Sequence, residues 1–220
     1  MTDVIRRKID RARPTQGEGA PGADRGWRLA LARAARDAMG LDLEFRSLRI
    51  VRQSLAEILE VVPDRALLAL LDGPQGGLGV IMLGAPVTAA LIEKQTLGKV
   101  GTQTPVLRKA SRIDAAMVAG VIDRALAGLD EALADEADLL WAGGFRYASY
   151  LEDARPLGLM LEDEPYRVLL AEVALGDAGR EGRVILVLPA AGRGTSPALP
   201  AEASVDEAPH FSEALSAQVM

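Results

Sequence analysis

Apolar positions along this chain recur at two periods, near 3.6 and near 2, and the alternation between them outlines most of the elements. From Trp27 to Met39, Leu29, Ala32, Arg33, Arg36 and Met39 stand at helical spacings, with Gly40 placed to cap the end. Leu43, Phe45, Leu48, Ile50 and Val51 predict a strand with a bulge-like irregularity near Ser47. Ser54-Leu55-Ala56-Glu57 has capping-box spacing, so a short helix follows and stops before Pro63. Ala66 to Leu71 and Leu78 to Leu83 are continuous apolar runs joined by the turn-rich Asp72 to Gly77, which predicts a buried antiparallel hairpin. Pro86 then opens a helix whose apolar face carries Val87, Ala90 and Leu91.

Gly98 to Lys109 reads as an irregular loop. Ser111-Arg112-Ile113-Asp114 opens the longest helix, with Val118, Val121, Ile122, Ala125 and Leu129 on one face. Asp130, Glu131, Asp135, Glu136 and Asp138 lie towards its end. Carboxylates there oppose the macrodipole, so that end is expected to be frayed and solvated or to meet a basic partner, and the solvated reading is the simpler. Phe145, Tyr147, Ser149 and Leu151 alternate as a strand. A second hairpin follows, Tyr166 to Leu175 and Arg183 to Leu188, joined by Gly176 to Gly182.

One stretch of text occurs twice. Leu59-Glu60-Val61-Val62-Pro63-Asp64-Arg65-Ala66-Leu67-Leu68-Ala69 returns as Leu161-Glu162-Asp163-Glu164-Pro165-Tyr166-Arg167-Val168-Leu169-Leu170-Ala171, and a proline, Pro86 or Pro189, closes each hairpin. Two copies are too few for a solenoid, so the pattern implies one domain of two related halves sharing a core, unless it is coincidence in a Leu- and Ala-rich chain.

A length of 220 residues with 49% hydrophobic residues supports a substantial core. Aromatic residues make up only 4%, which argues against a base-stacking surface, and a net charge of -6 offers no field for a polyanion. Nucleic acid is therefore not an expected partner. With no cysteine, disulfides and thiolate metal sites are excluded, and the single histidine, His210, falls in the tail, away from any triad or His-based metal site. Gly76-Gly77-Leu78-Gly79 joins two strands and opens no helix, so it is not read as a phosphate cradle. Gly98-Lys99 lacks the flanking residues of a nucleotide loop, and Glu162-Asp163-Glu164 reads as a solvated acidic turn. No catalytic residue, cofactor or metal is expected. The absence of a signal peptide or an 18-residue apolar run makes the cytoplasm the default.

From about Arg25 to Ala191 the order of these features resembles the middle domain of the flagellar motor switch protein FliM. The resemblance rests on the succession of the leading helix, Ser54-Leu55-Ala56-Glu57, the Leu67–Leu83 hairpin and the Pro86 helix ending in Leu97-Gly98. Ser111-Arg112-Ile113-Asp114, Trp141 and the final hairpin complete it. It implies an α/β fold, a pseudo-twofold α/β/α sandwich with a mostly antiparallel sheet of about six strands and flanking helices. It further implies a non-enzymatic subunit of the cytoplasmic ring at the flagellar base, peripheral to the inner membrane and not inserted in it, that helps set rotation direction. The implied partners are a FliG-like rotor protein, a FliN-like ring protein and neighbouring copies of the chain. In that family a Gly-Gly-x-Gly loop meets the rotor protein. The corresponding residues are Gly98, Lys99, Val100 and Gly101, with lysine at the second position. The same glycines also fit an ordinary helix C-cap and turn.

The chain is expected to divide into a flexible basic arm at 1–24, the domain at 25–191 and a Pro- and Ala-rich tail or linker at 192–220. The family's peptide for the response regulator CheY is acidic, Glu-Ile-Asp before an apolar pair. Here Ile9 and Asp10 stand between Lys8 and Arg11, so they are only a candidate contact for a CheY-type regulator. The family's small β-rich C-terminal domain, which pairs with FliN, has no counterpart before the chain ends. Two other readings share the fold or the ancestry: a scaffold of a type III secretion sorting platform, and a phosphatase of the CheC and CheX type. The phosphatases use a helix-borne Glu with Asn three residues on, whereas this chain has no asparagine, and Ile113 to Ala127 has no Glu or Gln.

Overall fold

The computed structural model describes residues 22–194 apart from Thr104 and Val106. Its elements in chain order are α1 (Ala23–Met39), β1 (Leu43–Gln53), α2 (Leu55–Glu60), β2 (Leu67–Asp72), β3 (Leu78–Leu83) and α3 (Ala85–Leu97). Then come α4 (Arg112–Ala132), α5 (Leu139–Ala142), β4 (Arg146–Leu151), α6 (Leu157–Met160), β5 (Tyr166–Leu175) and β6 (Arg180–Pro189). The six strands form one sheet in the order β1-β5-β6-β3-β2-β4, antiparallel throughout.

That order is its own mirror if β1 is exchanged with β4, β5 with β2 and β6 with β3. Each half of the chain supplies a long helix, an edge strand, a short helix and a hairpin, and each edge strand pairs with the other half's hairpin. The duplicated text occupies matching places. Leu67 and Ala69 in β2, like Leu169 and Ala171 in β5, face the core beneath the long helices, and Leu68, like its counterpart Leu170, faces the opposite side. A strand's period of two means equal faces require equal register, which coincidental wording would not produce.

The larger core lies between one sheet face and α1, α3 and α4, with Trp27, Val118, Ile122 and Leu126 buried in it. The long helices pack closely because small residues meet there. A Cβ on Gly26 would stand 3.2 Å from Leu129 Cδ1, and one on Gly128 would stand 3.3 Å from Ala30 Cβ. The second core is thinner, with Leu68, Leu70, Val80, Met82, Val168, Ile185 and Val187 covered by Ile58 of α2 and by Leu157 and Leu161 at α6.

Both capping boxes form, Ser54 with Glu57 and Ser111 with Asp114. The β1 irregularity falls between Phe45 and Ser47, and Gly40 closes α1 at φ 61°. Three expectations need correction. β6 begins at Arg180, three residues earlier than read, because Gly176 and Gly179 take positive φ and close the turn, so Leu175 pairs with Arg180. The acidic end of the longest helix is bound within the chain and is not merely solvated. The helix stops at Ala132, Asp130 pairs with Arg146 (2.8 Å) and accepts from Gly144 N (2.8 Å), and Asp138 accepts from Ala23 N and Trp141 Nε1. In the acidic turn, Glu162 and Glu164 both pair with Arg193.

Candidate partner-binding site

The loop between α3 and α4 combines a fixed backbone with an outward face that no described residue covers. Gly98 ends α3 in the left-handed region at φ 74°, its N–H bonded to Lys94 O at 3.0 Å, a conformation that a Cβ would strain. Gly98 and Lys99 are exposed, whereas Val100 and Gly101 are partly buried, so the four residues singled out in the sequence split into an outer and an inner pair.

The inner pair is held from a distance. Arg180, at the start of β6, has only 8% of its side chain exposed. It donates through Nη1 to Glu93 Oε1 (2.7 Å) and through Nη2 to Gly101 O (2.7 Å) and Gln103 O (2.9 Å). Glu93 Oε2 in turn accepts from Gly101 N at 2.8 Å. Burial pushes the Glu93 carboxyl up, but the hydrogen bonds from Arg180 and Gly101 and the Arg180 charge together outweigh it and leave the group below its ordinary value. Both backbone groups of Gly101 are thereby used inside the fold. A Cβ there would lie 3.3 Å from Glu93 Oε2, so the close approach favours glycine even though its φ is ordinary.

Further along, Arg65 Nη1 donates to Leu107 O (2.6 Å) and Tyr150 OH to Ala110 O (2.5 Å). A cavity of about 290 Å³ lies under this part of the loop, lined by Thr88, Ile92, Leu107 and Ala110 among others. Arg108 forks onto Asp114 at 2.6 and 2.8 Å, and this pair is the main reason the Asp114 carboxyl is lowered to about 2. Burial opposes it, and bonds from Ser111 N and Oγ assist. A depressed carboxyl stabilises the fold fully above its ordinary value near pH 4, and that stabilisation is lost as pH falls towards 2. Asp114→Asn is therefore expected to cost about 2 kcal/mol at pH 7, roughly 4–8 °C in Tm, with the difference from wild type closing between about pH 4 and pH 2. Thermal melts across that range check it, and equal Tm values at pH 7 would contradict it.

The outward face is basic and carries two bare apolar side chains. Between Lys94 and Ile113 the chain has Lys94, Lys99, Arg108, Lys109 and Arg112 and no acid, against a net charge of -6 overall. Arg108 and Lys109 are paired, with Asp114 and Glu152. Lys99 and Arg112 are exposed and have no ion-pair partner among the described residues. Leu97 and Ile113, 68% and 73% exposed, flank the loop, and Gln95 Nε2 ties the two helix ends by donating to Met117 O (2.8 Å). Sequence reasoning used both only as landmarks. A signal was available for Ile113, which falls off the apolar face of its helix next to a loop, but not for Leu97, which stands seven residues after Ala90 and continues the apolar face by spacing. Ile9 and Asp10 lie outside the described residues.

Comparison with solved structures gives a consistent answer. The FliM middle domain from H. pylori superposes with a TM-score of 0.54 at 15% identity, covering 77% of this chain and 93% of that one. The fold is that of the FliM middle domain. A chain of the H. pylori FliG–FliM complex matches with a TM-score of 0.59 at 15% identity, covering 74% and 87%. Thermotoga maritima FliY matches with a TM-score of 0.54 at 13% identity, covering 76% and 86%. The expected α/β fold with a six-stranded antiparallel sheet is thus the one observed. No protein-family model and no curated protein sequence matches the chain. Among the described residues no helix is long and apolar enough to cross a membrane.

Proposed function

We propose that this chain is a non-enzymatic subunit of a flagellar motor switch ring, cytoplasmic and peripheral to the inner membrane. In this reading the face from Leu97 to Ile113 meets a FliG-type rotor protein, and other surfaces meet neighbouring copies and a FliN-type protein. The observation that carries it is the coincidence, on a FliM middle-domain fold, of a clamped glycine-bracketed loop with exposed Leu97 and Ile113 at the position where the resemblance puts the rotor contact. One of the solved structures of this fold comes from a FliG–FliM complex.

A pre-set backbone lowers the ordering cost of binding, and exposed aliphatic side chains ringed by charge make suitable anchors. The output is mechanical. Two arrangements of the ring differ in population, and a partner biases rotation only by binding them unequally. A phosphatase role is set aside because the chain has no asparagine, and Asp123, partly exposed on α4, is occupied in accepting from Tyr147 N at 2.7 Å. Response-regulator capture by Ile9 and Asp10 is left out, because Lys8 and Arg11 invert the charge of the peptide the family uses.

Deletion of the gene tests the role in the cell. Missing, paralysed or direction-locked filaments, scored by swimming and by electron microscopy, are the expected result. Normal filaments with normal swimming would overturn the proposal.

A further inference from the structure

The large exposed apolar side chains on the sheet's thin side gather in one place. Leu159 is 92% exposed, Leu59 39% and Met160 38%. They form one patch, since α2 packs on α6 and a Cβ on Gly158 would lie 3.8 Å from Leu59 Cδ1. Leu55 and Val62, partly buried, continue it into the second core. The rim is acidic. α2 carries Glu57 and Glu60 with no basic residue, and of the acids flanking α6 Glu152 pairs with Lys109 and Glu162 and Glu164 pair with Arg193, so with Asp153, Asp163 and Arg155 the rim counts seven carboxylates against three cations.

The N-terminal segment of the same chain has the opposite character. Met1 to Arg13 carries Arg6, Arg7, Lys8, Arg11 and Arg13 against Asp3 and Asp10, and Ile5, Ile9 and Ala12 fall at i, i+4 and i+7, one face of a helix. It joins the fold at Ala23, whose N–H is bonded to Asp138, the residue before α5. The backbone of α5 also receives Gly194 N at Leu140 O, and the neighbouring Arg193 reaches Glu162, two residues past α6. The root of the arm is thus linked through α5 to the end of the fold that bears the patch. Thirteen residues separate Ile9 from Ala23, enough to span up to about 45 Å, so the tether does not limit the contact.

We propose that the basic arm, Val4 to Arg13, docks on the Leu59/Leu159/Met160 patch of its own chain, with Ile5 and Ile9 on the leucines and the arginines over the acidic rim. Tethering supplies a high effective concentration, so modest contacts suffice, and the charge term makes docking sensitive to salt. The arm thereby covers an apolar surface that would otherwise invite association, and a partner that takes the arm uncovers it. This contact is independent of the rotor-facing loop.

The chain has no cysteine, so two can be introduced cleanly. Full-length chain with Thr2→Cys and Ala56→Cys, spin-labelled at both, is examined by pulsed EPR. A narrow short-distance peak is expected, with its loss in Ile9→Glu and in Leu159→Glu and a partial loss in 1 M salt. Circular dichroism and Tm verify that each variant is folded. A broad distribution unchanged by both substitutions would overturn the proposal. So would loss of the short peak on tenfold dilution with unlabelled chain, because the arm would then sit on another copy.

Discussion

Arg180→Met is expected to cost about 3–5 kcal/mol and to lower Tm by roughly 6–20 °C, the largest effect of any single charged residue in the domain. The side chain is almost fully buried and bonds three acceptors, the Glu93 carboxylate and the carbonyls of Gly101 and Gln103. Methionine keeps much of the volume but leaves a partly buried carboxylate without its cation and two carbonyls without donors, which is the costly way to break a buried pair. Glu93→Gln removes the charge and keeps an oxygen for Gly101 N, so its cost is expected to be smaller. The loop should loosen along with the global loss, so trypsin is expected to cut sooner after Lys99, Arg108 and Lys109 in Arg180→Met. Melting and limited proteolysis check both effects. An Arg180→Met protein melting within about 2 °C of wild type, with an unchanged digest, would show that the clamp does not hold the loop.

The second large effect is on binding, with stability left intact. Leu97→Asp together with Ile113→Asp is expected to weaken association with a FliG-type rotor protein by at least about 100-fold, since buried aliphatic anchors contribute about 2 kcal/mol each and the two need not add fully. Because 68% and 73% of these residues are exposed, the double variant should melt close to wild type. Lys99→Glu should act differently, slowing association and altering its salt dependence more than its dissociation rate, because an exposed charge steers more than it anchors. Gly101→Asp is a poorer probe. Its new side chain would start 3.3 Å from Glu93 Oε2 and 3.8 Å from Arg180 Nη2, so it would disturb the clamp and the contact at once.

Features whose cause is local were legible in the sequence. Ser54 and Glu57, Ser111 and Asp114, Gly40, Gly98 and the Leu67–Leu83 hairpin all form as their spacing predicts, because each depends on residues only a few positions apart. The two-halves reading survived because duplicated text preserves register, and register decides which face of the sheet each leucine occupies. What stayed hidden was set by residues distant in the chain. Arg180 looked like part of a charged glycine-rich turn, and only the fold brings it to Glu93 and Gly101, 87 and 79 positions away. Asp130 and Asp138 read as a solvated acidic end, whereas the fold brings Arg146 of β4 to Asp130 and the Ala23 N–H of α1 to Asp138. α5 and α6 are four residues each, too short for a helical period to register. In the candidate site the sequence indicated the loop and its glycines. It did not indicate that Gly101 faces inward while Leu97 faces out.

The central claim is that this face binds a rotor protein, and calorimetric titration of the full chain with the FliG-type protein of the same organism tests it most directly. Binding by the wild type, lost in a Leu97→Asp/Ile113→Asp variant of unchanged Tm, is the result the account predicts. No binding by the folded wild type, or equal affinity in the folded variant, would contradict it.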